Sequence, residues 1–175
     1  MRSTIGIDVG ASPALVFRLA SDIERWPALL PHYVRASRIR EEADGSLVLL
    51  FVARRPLVPL LGLGLPVAWR SRTWAEASTR RLRFVHLGGA TDGMDVTWHI
   101  EPTAHGCRVT IEHEFRRLLP LPWLGEVFGD EFWPAVIDRF VTRPIAGRTL
   151  ATFKALAEAL ANDESEALPG TYLQG

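Results

Sequence analysis

The sequence predicts an α+β fold in which a curved antiparallel sheet of about seven strands wraps around one long C-terminal helix. Residues 131–161 form the only long stretch whose apolar positions recur every three or four residues, which is the period of a helix. Residues 32–116 instead alternate apolar and polar positions between short turns, as half-buried strands do. With 175 residues, 47% of them apolar, the chain can build one large core. We therefore predict a single domain over residues 1–161 and a flexible tail over residues 162–175.

One strand and two short helices are predicted at the N-terminal end. Residues 3–9 alternate weakly and indicate a first strand. Ser12 and Pro13 match the N-cap and first position of a helix, where the missing N–H of proline costs nothing. Residues 21–24 match a capping box that opens a second short helix.

The middle of the chain predicts a meander of strands joined by turns. The predicted strands are 33–42, 46–53, 66–77, 81–88, 93–101 and 107–116. The turns between them contain Asp44-Gly45, Ser78-Thr79, Asp92-Gly93 and His105-Gly106. Consecutive strands with short connections pair antiparallel, so one face of each strand is expected to point at the helix.

The long helix is predicted to carry a wide apolar stripe and a kink. Its apolar positions are Phe132, Val136, Phe140, Leu150, Phe153, Leu156 and Leu160, whereas Asp138 is assigned to the opposite, polar face. Pro144 lacks an N–H and clashes with the carbonyl four residues earlier, so the kink is expected near residues 140–145.

Composition argues against several classes of function. Lys+Arg and Asp+Glu balance at 20 each, so we predict no nucleic-acid partner. Cys107 has no partner for an internal disulfide and the N-terminus lacks a signal peptide, so a cytoplasmic location is predicted. No HExxH motif or dinucleotide loop is present, so neither a metal nor a cofactor is predicted. Oligomeric state is left open.

Two apolar segments interrupt the pattern at residues 54–66 and 118–129. Both are broken by proline or glycine and are too short to cross a bilayer. We expect them at a ligand entrance or in transient contact with a membrane surface.

Three stretches carry a family resemblance. They are DIERWPALLPHYVRASRI (22–39), RFVHLGGATDGMDVTWHIEPTAHGCRVTIEHEF (83–115) and IAGRTLATFKALAEAL (145–160). These three segments and the order of elements resemble the polyketide cyclase/dehydrase and lipid-transport branch of the START-like (SRPBCC) superfamily, over about residues 4–161. The resemblance implies a helix-grip fold with a deep apolar cavity between sheet and helix.

The resemblance also implies which residues line that cavity. The positions that match inward residues of the bacterial aromatase/cyclases of this branch are Trp26, Tyr33, Trp69, Ser71 and Trp98. Those cyclases also place an arginine inside, from the fourth strand. Here strand alternation turns Thr73 inward and Arg70 and Arg72 outward, unless a bulge reverses it.

Four polar residues are the candidate catalytic groups. Tyr33 and Ser71 are predicted to position or protonate carbonyl oxygens, and His86 or His113 to move a proton from an acidic C–H. The predicted ligand-binding residues are Trp26, Trp69, Thr73, Phe84, Met94, Trp98, Ile111, Phe115, Phe132, Val136 and Phe140. No inward carboxylate is expected beside the histidines, and each histidine alone also fits a hydrogen-bonded core residue.

Two functions therefore remain open. The first is a polyketide cyclase or aromatase that catalyses aldol cyclisation and dehydration of a hydrophobic molecule held in the cavity. The second is a non-catalytic carrier of a lipid or a coenzyme-Q-like quinone, which the missing inward arginine and the apolar segments favour.

Overall fold

The computed structural model describes residues 1–58, 63–89, 91–115 and 132–166. Within this part of the chain, one antiparallel sheet has the strand order β1-β7-β6-β5-β4-β3-β2. The strands are β1 (Arg2–Val9), β2 (Tyr33–Glu41), β3 (Leu47–Val58), β4 (Leu63–Glu76), β5 (Arg81–Gly89), β6 (Met94–Thr103) and β7 (Gly106–Phe115). Each strand after β2 pairs with its predecessor, and β1 closes the sheet against β7. The structure confirms the predicted fold class.

Two short helices follow β1, as predicted. Helix α1 (Pro13–Ser21) begins after Ser12, whose hydroxyl accepts a hydrogen bond from the Leu15 N–H at 3.2 Å. A 3₁₀ turn (Ile23–Arg25) leads into α2 (Trp26–Leu29). The predicted capping box does not form, because Ser21 still belongs to α1 and its hydroxyl donates to the Arg18 carbonyl.

The C-terminal helix is interrupted where proline predicts a disruption. Helix α3 (Phe132–Ile137) passes through a π-helical segment (Asp138–Thr142) into α4 (Arg143–Glu166). Pro144 cannot donate to the carbonyl four residues before it, and the wider π turn relieves the clash between that carbonyl and the proline ring. The extra residue in this turn rotates α3 about the helix axis relative to α4.

Helix α4 extends past the predicted end of the domain. Residues 162–166 are helical, although they were assigned to a flexible tail. The segment is polar but contains no glycine or proline, and polarity alone does not end a helix. The rest of the predicted tail, residues 167–175, lies outside the described residues.

The hairpin between β3 and β4 is longer than the alternation predicts. Part of the segment 54–66 that was expected to be irregular is strand, with Pro56 opposite Gly64. Strand β2 pairs with β3 as far as Ala53, and the Arg54 N–H still donates to the His32 carbonyl. Beyond Arg54, none of the described strands lies on this side of β3. Pro56 therefore removes no donor that the sheet needs. Segment 118–129 lies outside the described residues.

The helices pack on one face of the sheet, and the core lies between them. The inward residues of β3–β7 alternate with outward ones, so that Phe51, Leu82 and Ile111 are almost fully buried. Arg70 and Arg72 point outward as predicted, and Arg72 bonds to Asp44 and Ser46 on the β2–β3 turn. None of the described helices is long and apolar enough to cross a membrane.

Candidate functional site

A small cavity lies between the inner face of the sheet and the C-terminal helix. The aromatic residues around it are Trp26, Tyr33, Phe51, Trp69, Phe84 and Trp98. Trp26 stands at the centre of the cluster, with ring centroids 5.1 Å from Tyr33 and 5.6 Å from Trp98. Its indole N–H donates to the Ala20 carbonyl at 3.1 Å, which fixes the ring while satisfying its buried donor.

Three planar rings form a stack along one wall. Phe51 and Trp69 are 5.3 Å apart and inclined by 12°, and Trp69 and His86 are 5.8 Å apart and inclined by 21°. These residues come from β3, β4 and β5, three adjacent strands, so the stack crosses the sheet. A wall of nearly parallel rings suits a flat, hydrophobic ligand.

The cavity enclosed by the described residues is small. Its volume is about 60 Å³. Pockets for drug-sized ligands measure about 300–1,000 Å³. A ligand with several rings therefore requires side chains of this wall to move apart.

His86 and His113 form a polar end of the cavity. A 2.5 Å hydrogen bond joins His86 Nδ1 to the Thr91 hydroxyl. Burial, together with the nearby His113, lowers the pKa of His86 to about 3. Burial also lowers the pKa of His113 to about 4, although the Asp138 carboxylate acts in the opposite direction. Both imidazoles are therefore neutral at pH 7.

His113 retains unused hydrogen-bonding capacity. Its Nδ1 atom is buried and has no hydrogen-bond partner among the described residues. An unpaired buried polar atom costs about 1–3 kcal/mol relative to a paired one. His113 lines the cavity, so a water or a ligand held there is a candidate partner for this atom.

Asp138 corrects the prediction that no inward carboxylate joins the histidines. Its side chain, assigned from the sequence to the polar face, is buried and accepts hydrogen bonds from Ser3 Oγ at 2.5 Å and Arg143 Nε at 2.7 Å. The Thr142 hydroxyl lies 3.2 Å from the same carboxylate. Burial raises the pKa of Asp138, but the bonds from Ser3 and Arg143 outweigh it and hold the pKa below its usual value. Asp138 is thus an ionised group near His113.

A second polar end of the cavity lies on the same face of the sheet but near its opposite edge, where β2 begins. The Thr149 hydroxyl donates to the Ile145 carbonyl and is 2.8 Å from His32 Nε2, which therefore donates to it. Burial and the charge of Arg148 lower the pKa of His32 to about 4. Burial raises the pKa of Tyr33 well above its ordinary value, with a smaller opposing effect from Thr149. Tyr33 is accordingly a neutral donor.

The structure brings together most of the predicted site residues. The predicted residues that line the cavity are Trp26, Tyr33, Trp69, Phe84, His86, Met94, Trp98, Ile111 and His113. Their catalytic and binding roles stay predictions. Among the described residues, no cluster of His, Cys, Asp and Glu is arranged to hold a metal ion.

Three predicted residues are buried but do not line the cavity. The Ser71 hydroxyl, expected to reach a carbonyl oxygen of the ligand, donates to the Val85 carbonyl at 3.2 Å. Thr73 donates in the same way to the Leu47 carbonyl. Phe115 packs beside His113 at 6.4 Å between ring centroids. A buried hydroxyl on a strand can donate its hydrogen bond to a nearby backbone carbonyl. Strand alternation predicts the direction of the side chain but not this hydrogen-bond partner.

The three predicted helix residues do not line the cavity. Phe132 and Phe140 are 39% and 46% exposed, and Val136 does not line the cavity. The residues that do line it are Val141, Thr142, Ile145, Ala146 and Thr149. The prediction extended one α-helical phase through the π-helical segment, which rotates α3 away. Thr142, Ile145, Ala146 and Thr149 follow i, i+3, i+4, i+7 spacing, and this stripe was the missed signal.

Two further cavity residues differ in whether a sequence pattern could have identified them. Phe51 is an inward residue of β3, so strand alternation alone identifies it. Thr91 belongs to the β5–β6 turn, where no periodicity indicates which way a side chain points.

These features define a helix-grip domain with an internal aromatic cavity. Residues 2–158 match the family model described as polyketide cyclase / dehydrase and lipid transport, and the chain belongs to this family. A comparison with curated proteins found no match.

Solved structures of similar fold include aromatase/cyclases. The Zhui aromatase/cyclase from Streptomyces sp. R1128 is 17% identical over 90% of this chain and 93% of that chain, with a TM-score of 0.70. The di-domain ARO/CYC BexL is 25% identical over 93% of this chain and 48% of its own, with a TM-score of 0.65. A START superfamily protein from Mycobacterium smegmatis is 15% identical over 93% and 98% of the two chains, with a TM-score of 0.58. The family and these likenesses support a fold that binds hydrophobic ligands.

Proposed function

We propose that this protein binds a flat, hydrophobic, oxygen-bearing molecule of the aromatic polyketide class and promotes its aldol cyclisation and dehydration. The observation that carries the proposal is His113, which lines the cavity near the buried Asp138 carboxylate and whose Nδ1 has no partner among the described residues. A histidine near an ionised carboxylate is a common arrangement for a general base.

The reaction needs a group that accepts a proton and later returns it. His113 would take a proton from a carbon between two carbonyls, and the enolate carbon would attack a second carbonyl carbon. The new alkoxide would regain the proton as a hydroxyl. Removal of a neighbouring C–H proton and departure of that hydroxyl as water would complete the dehydration.

Burial disfavours a charged His113 in the empty cavity, and a ligand changes this balance. The low pKa of His113 comes first from desolvation, while Asp138 favours the protonated form. A developing enolate beside His113 adds a second negative charge in surroundings where attraction is poorly screened. The charged imidazole is then stabilised only while the reaction proceeds, which favours catalysis over ground-state binding.

The other polar groups suit the binding of carbonyl oxygens. Tyr33 is a neutral phenol on β2, near the opposite edge of the sheet from His113 on β7. It can therefore donate to an oxygen at the other end of the ligand. The stacked wall of Phe51, Trp69 and His86 would keep the chain flat and folded for attack.

A lipid or quinone carrier is the second candidate, and one observation favours it. Both cavity histidines have a pKa well below neutral, and the hydroxyls of Ser71 and Thr73 are bonded to the backbone. The empty cavity thus presents neutral groups and aromatic rings, which bind a quinone or lipid without chemistry.

Identification of the bound molecule separates the two functions. Native mass spectrometry of the protein from its own host, followed by extraction, should reveal a cyclised aromatic product if the protein is a cyclase. An intact isoprenoid quinone or phospholipid would instead indicate the carrier and remove the catalytic role of His113. Titration with anthraquinone and with a short-chain ubiquinone, followed by quenching of tryptophan fluorescence, measures which ligand shape the cavity accepts.

A further inference from the structure

The outer face of the sheet, opposite the helices, differs between its two sides. On the β1–β7 side, arginines pair with carboxylates, as in Arg2–Glu112 at 2.9 Å and Arg108–Asp8 at 2.8 Å. On the side formed by β2, β3 and β4, Arg40 and Arg72 pair with Glu42 and Asp44, whereas three exposed arginines form no ion pair in the described part of the chain. They are Arg35, Arg54 and Arg70.

Strand β3 is apolar on both faces between these arginines. Leu49 and Phe51 point into the core, whereas Leu50 and Val52 alternate with them and lie half-buried on the outer face. Across the sheet, Leu50 is paired with Arg70, and Val52 is paired with Arg35. A strand that is apolar on both faces is typical of one that is covered on both.

Register shifts bring additional apolar side chains to solvent. Val34, Ile39 and Leu87 each fall at a shift in strand pairing and are 50%, 49% and 42% exposed. Close to the shift at Leu87, position 89 requires glycine, since its φ is +96° and a Cβ there would lie 2.4 Å from the Ala68 carbonyl oxygen.

One surface hollow joins the apolar and basic groups. Ile39 and Leu87 line it together with Arg40, Val48 and Arg70. We call the basic apolar face the surface formed by Ile39, Leu50, Val52 and Leu87 with Arg35, Arg54 and Arg70.

We infer that the basic apolar face docks on an anionic phospholipid bilayer. Arginines without an ion pair among the described residues surround apolar side chains here, and this arrangement matches lipid phosphates above an apolar interior. A two-fold dimer through this face would instead bring these arginines of both copies together. Strands β3 and β4 also lead from this face into residues 59–62, whose sequence is Pro-Leu-Leu-Gly. The inference does not depend on whether the cavity is catalytic.

Flotation with lipid vesicles tests the inference. The protein should bind vesicles of equal parts phosphatidylcholine and phosphatidylglycerol, bind phosphatidylcholine vesicles less, and dissociate as salt screens the charges. Arg54→Gln and Arg70→Gln should each lower the partition coefficient about five-fold. Arg18→Gln is the matched control, because Arg18 is exposed on α1, on the opposite face of the sheet, and should change it little.

Leu87→Gln separates the apolar contribution from the charge, and should weaken binding to both kinds of vesicle. Thermal unfolding shows whether each variant is folded. If Arg54→Gln or Arg70→Gln does not fold, Arg35→Gln tests the same charge contribution. The inference would be overturned if the protein bound both kinds of vesicle equally. It would also be overturned if Arg18→Gln lowered binding as much as Arg70→Gln. A dimer in sedimentation without lipid that Leu87→Gln dissociates would also overturn it, in favour of a second copy.

Discussion

The two polar ends of the cavity use their hydrogen-bonding capacity differently. At the β2 end, the Thr149 hydroxyl both donates to Ile145 and accepts from His32. At the β7 end, His113 Nδ1 has no partner among the described residues, although ionised Asp138 lies near it. The first network holds the helix to the sheet. Since an unpaired buried atom is costly, we expect a ligand to complete the second.

Removing the imidazole at the β7 end gives the largest expected effect. His113→Gln keeps a side chain of similar length but cannot accept and return a proton at neutral pH. Turnover of a synthetic aromatic poly-β-ketone should fall by about 10²–10⁴-fold, the usual contribution of a general base. Anthraquinone affinity, measured by fluorescence quenching, should change only a few-fold.

His32→Gln is the matched control at the β2 end. It changes a buried histidine that does not line the cavity, so stability should fall more than turnover. Equal losses of turnover in the two variants would mean that the ends do not differ in function. Turnover that persists in both variants would remove His113 as the general base, and an absence of turnover in the unmodified protein would support the carrier.

Acid should destabilise the protein through its buried histidines. The folded-state pKa values of His86 and His113, about 3 and about 4, lie below the ordinary value of 6.5. A group with a depressed pKa of this kind stabilises the folded state above pH 6.5, and this contribution is lost as pH falls toward 4. For His113 alone the loss at pH 4 is up to about 3 kcal/mol. Urea unfolding between pH 7 and pH 4 measures it.

Two histidine variants assign this pH dependence. His113→Gln should flatten the curve of unfolding free energy between pH 6.5 and pH 4. His105→Gln should leave the curve unchanged, because His105 is exposed in the β6–β7 turn. A curve that keeps its slope in His113→Gln would show that other groups cause the acid sensitivity.

The network at the β2 end should contribute stability. Thr149→Val keeps the branched shape but removes the acceptor of the His32 N–H, so unfolding free energy should fall by about 1–3 kcal/mol. Thr152→Val is the control, because Thr152 lies on the same helix and also donates four residues back, but is more exposed. Equal thermal shifts in the two variants would contradict a specific role for the buried network.

Most of the fold was predictable because strand and helix periods differ. Alternation along β5, β6 and β7 correctly turns His86, Trp98 and His113 inward, since the period of two survives everywhere that pairing is regular. The hairpin beyond Ala53 was underestimated because proline and glycine indicate a loop wherever pairing is unknown.

The helical half of the site was not predictable in the same way. A π turn changes the phase of a helix by one residue, and only the prediction of a disruption at Pro144 follows from sequence. Asp138 was assigned to the polar face for this reason, although it is buried with Ser3 from β1. Its partner is 135 positions away in the chain, so no local pattern reveals the contact.

Ser71 gives the smallest predicted effect and separates the two ways of assigning a site. Family resemblance predicts that its hydroxyl acts on the ligand, whereas the structure shows it fully buried and donating to the Val85 carbonyl. Ser71→Ala should therefore lower unfolding free energy by about 1 kcal/mol, the typical value of one hydrogen bond, and leave turnover unchanged. A loss of turnover with unchanged stability would show that the Ser71 hydroxyl leaves the backbone when a ligand binds, and that the widened cavity extends toward β4.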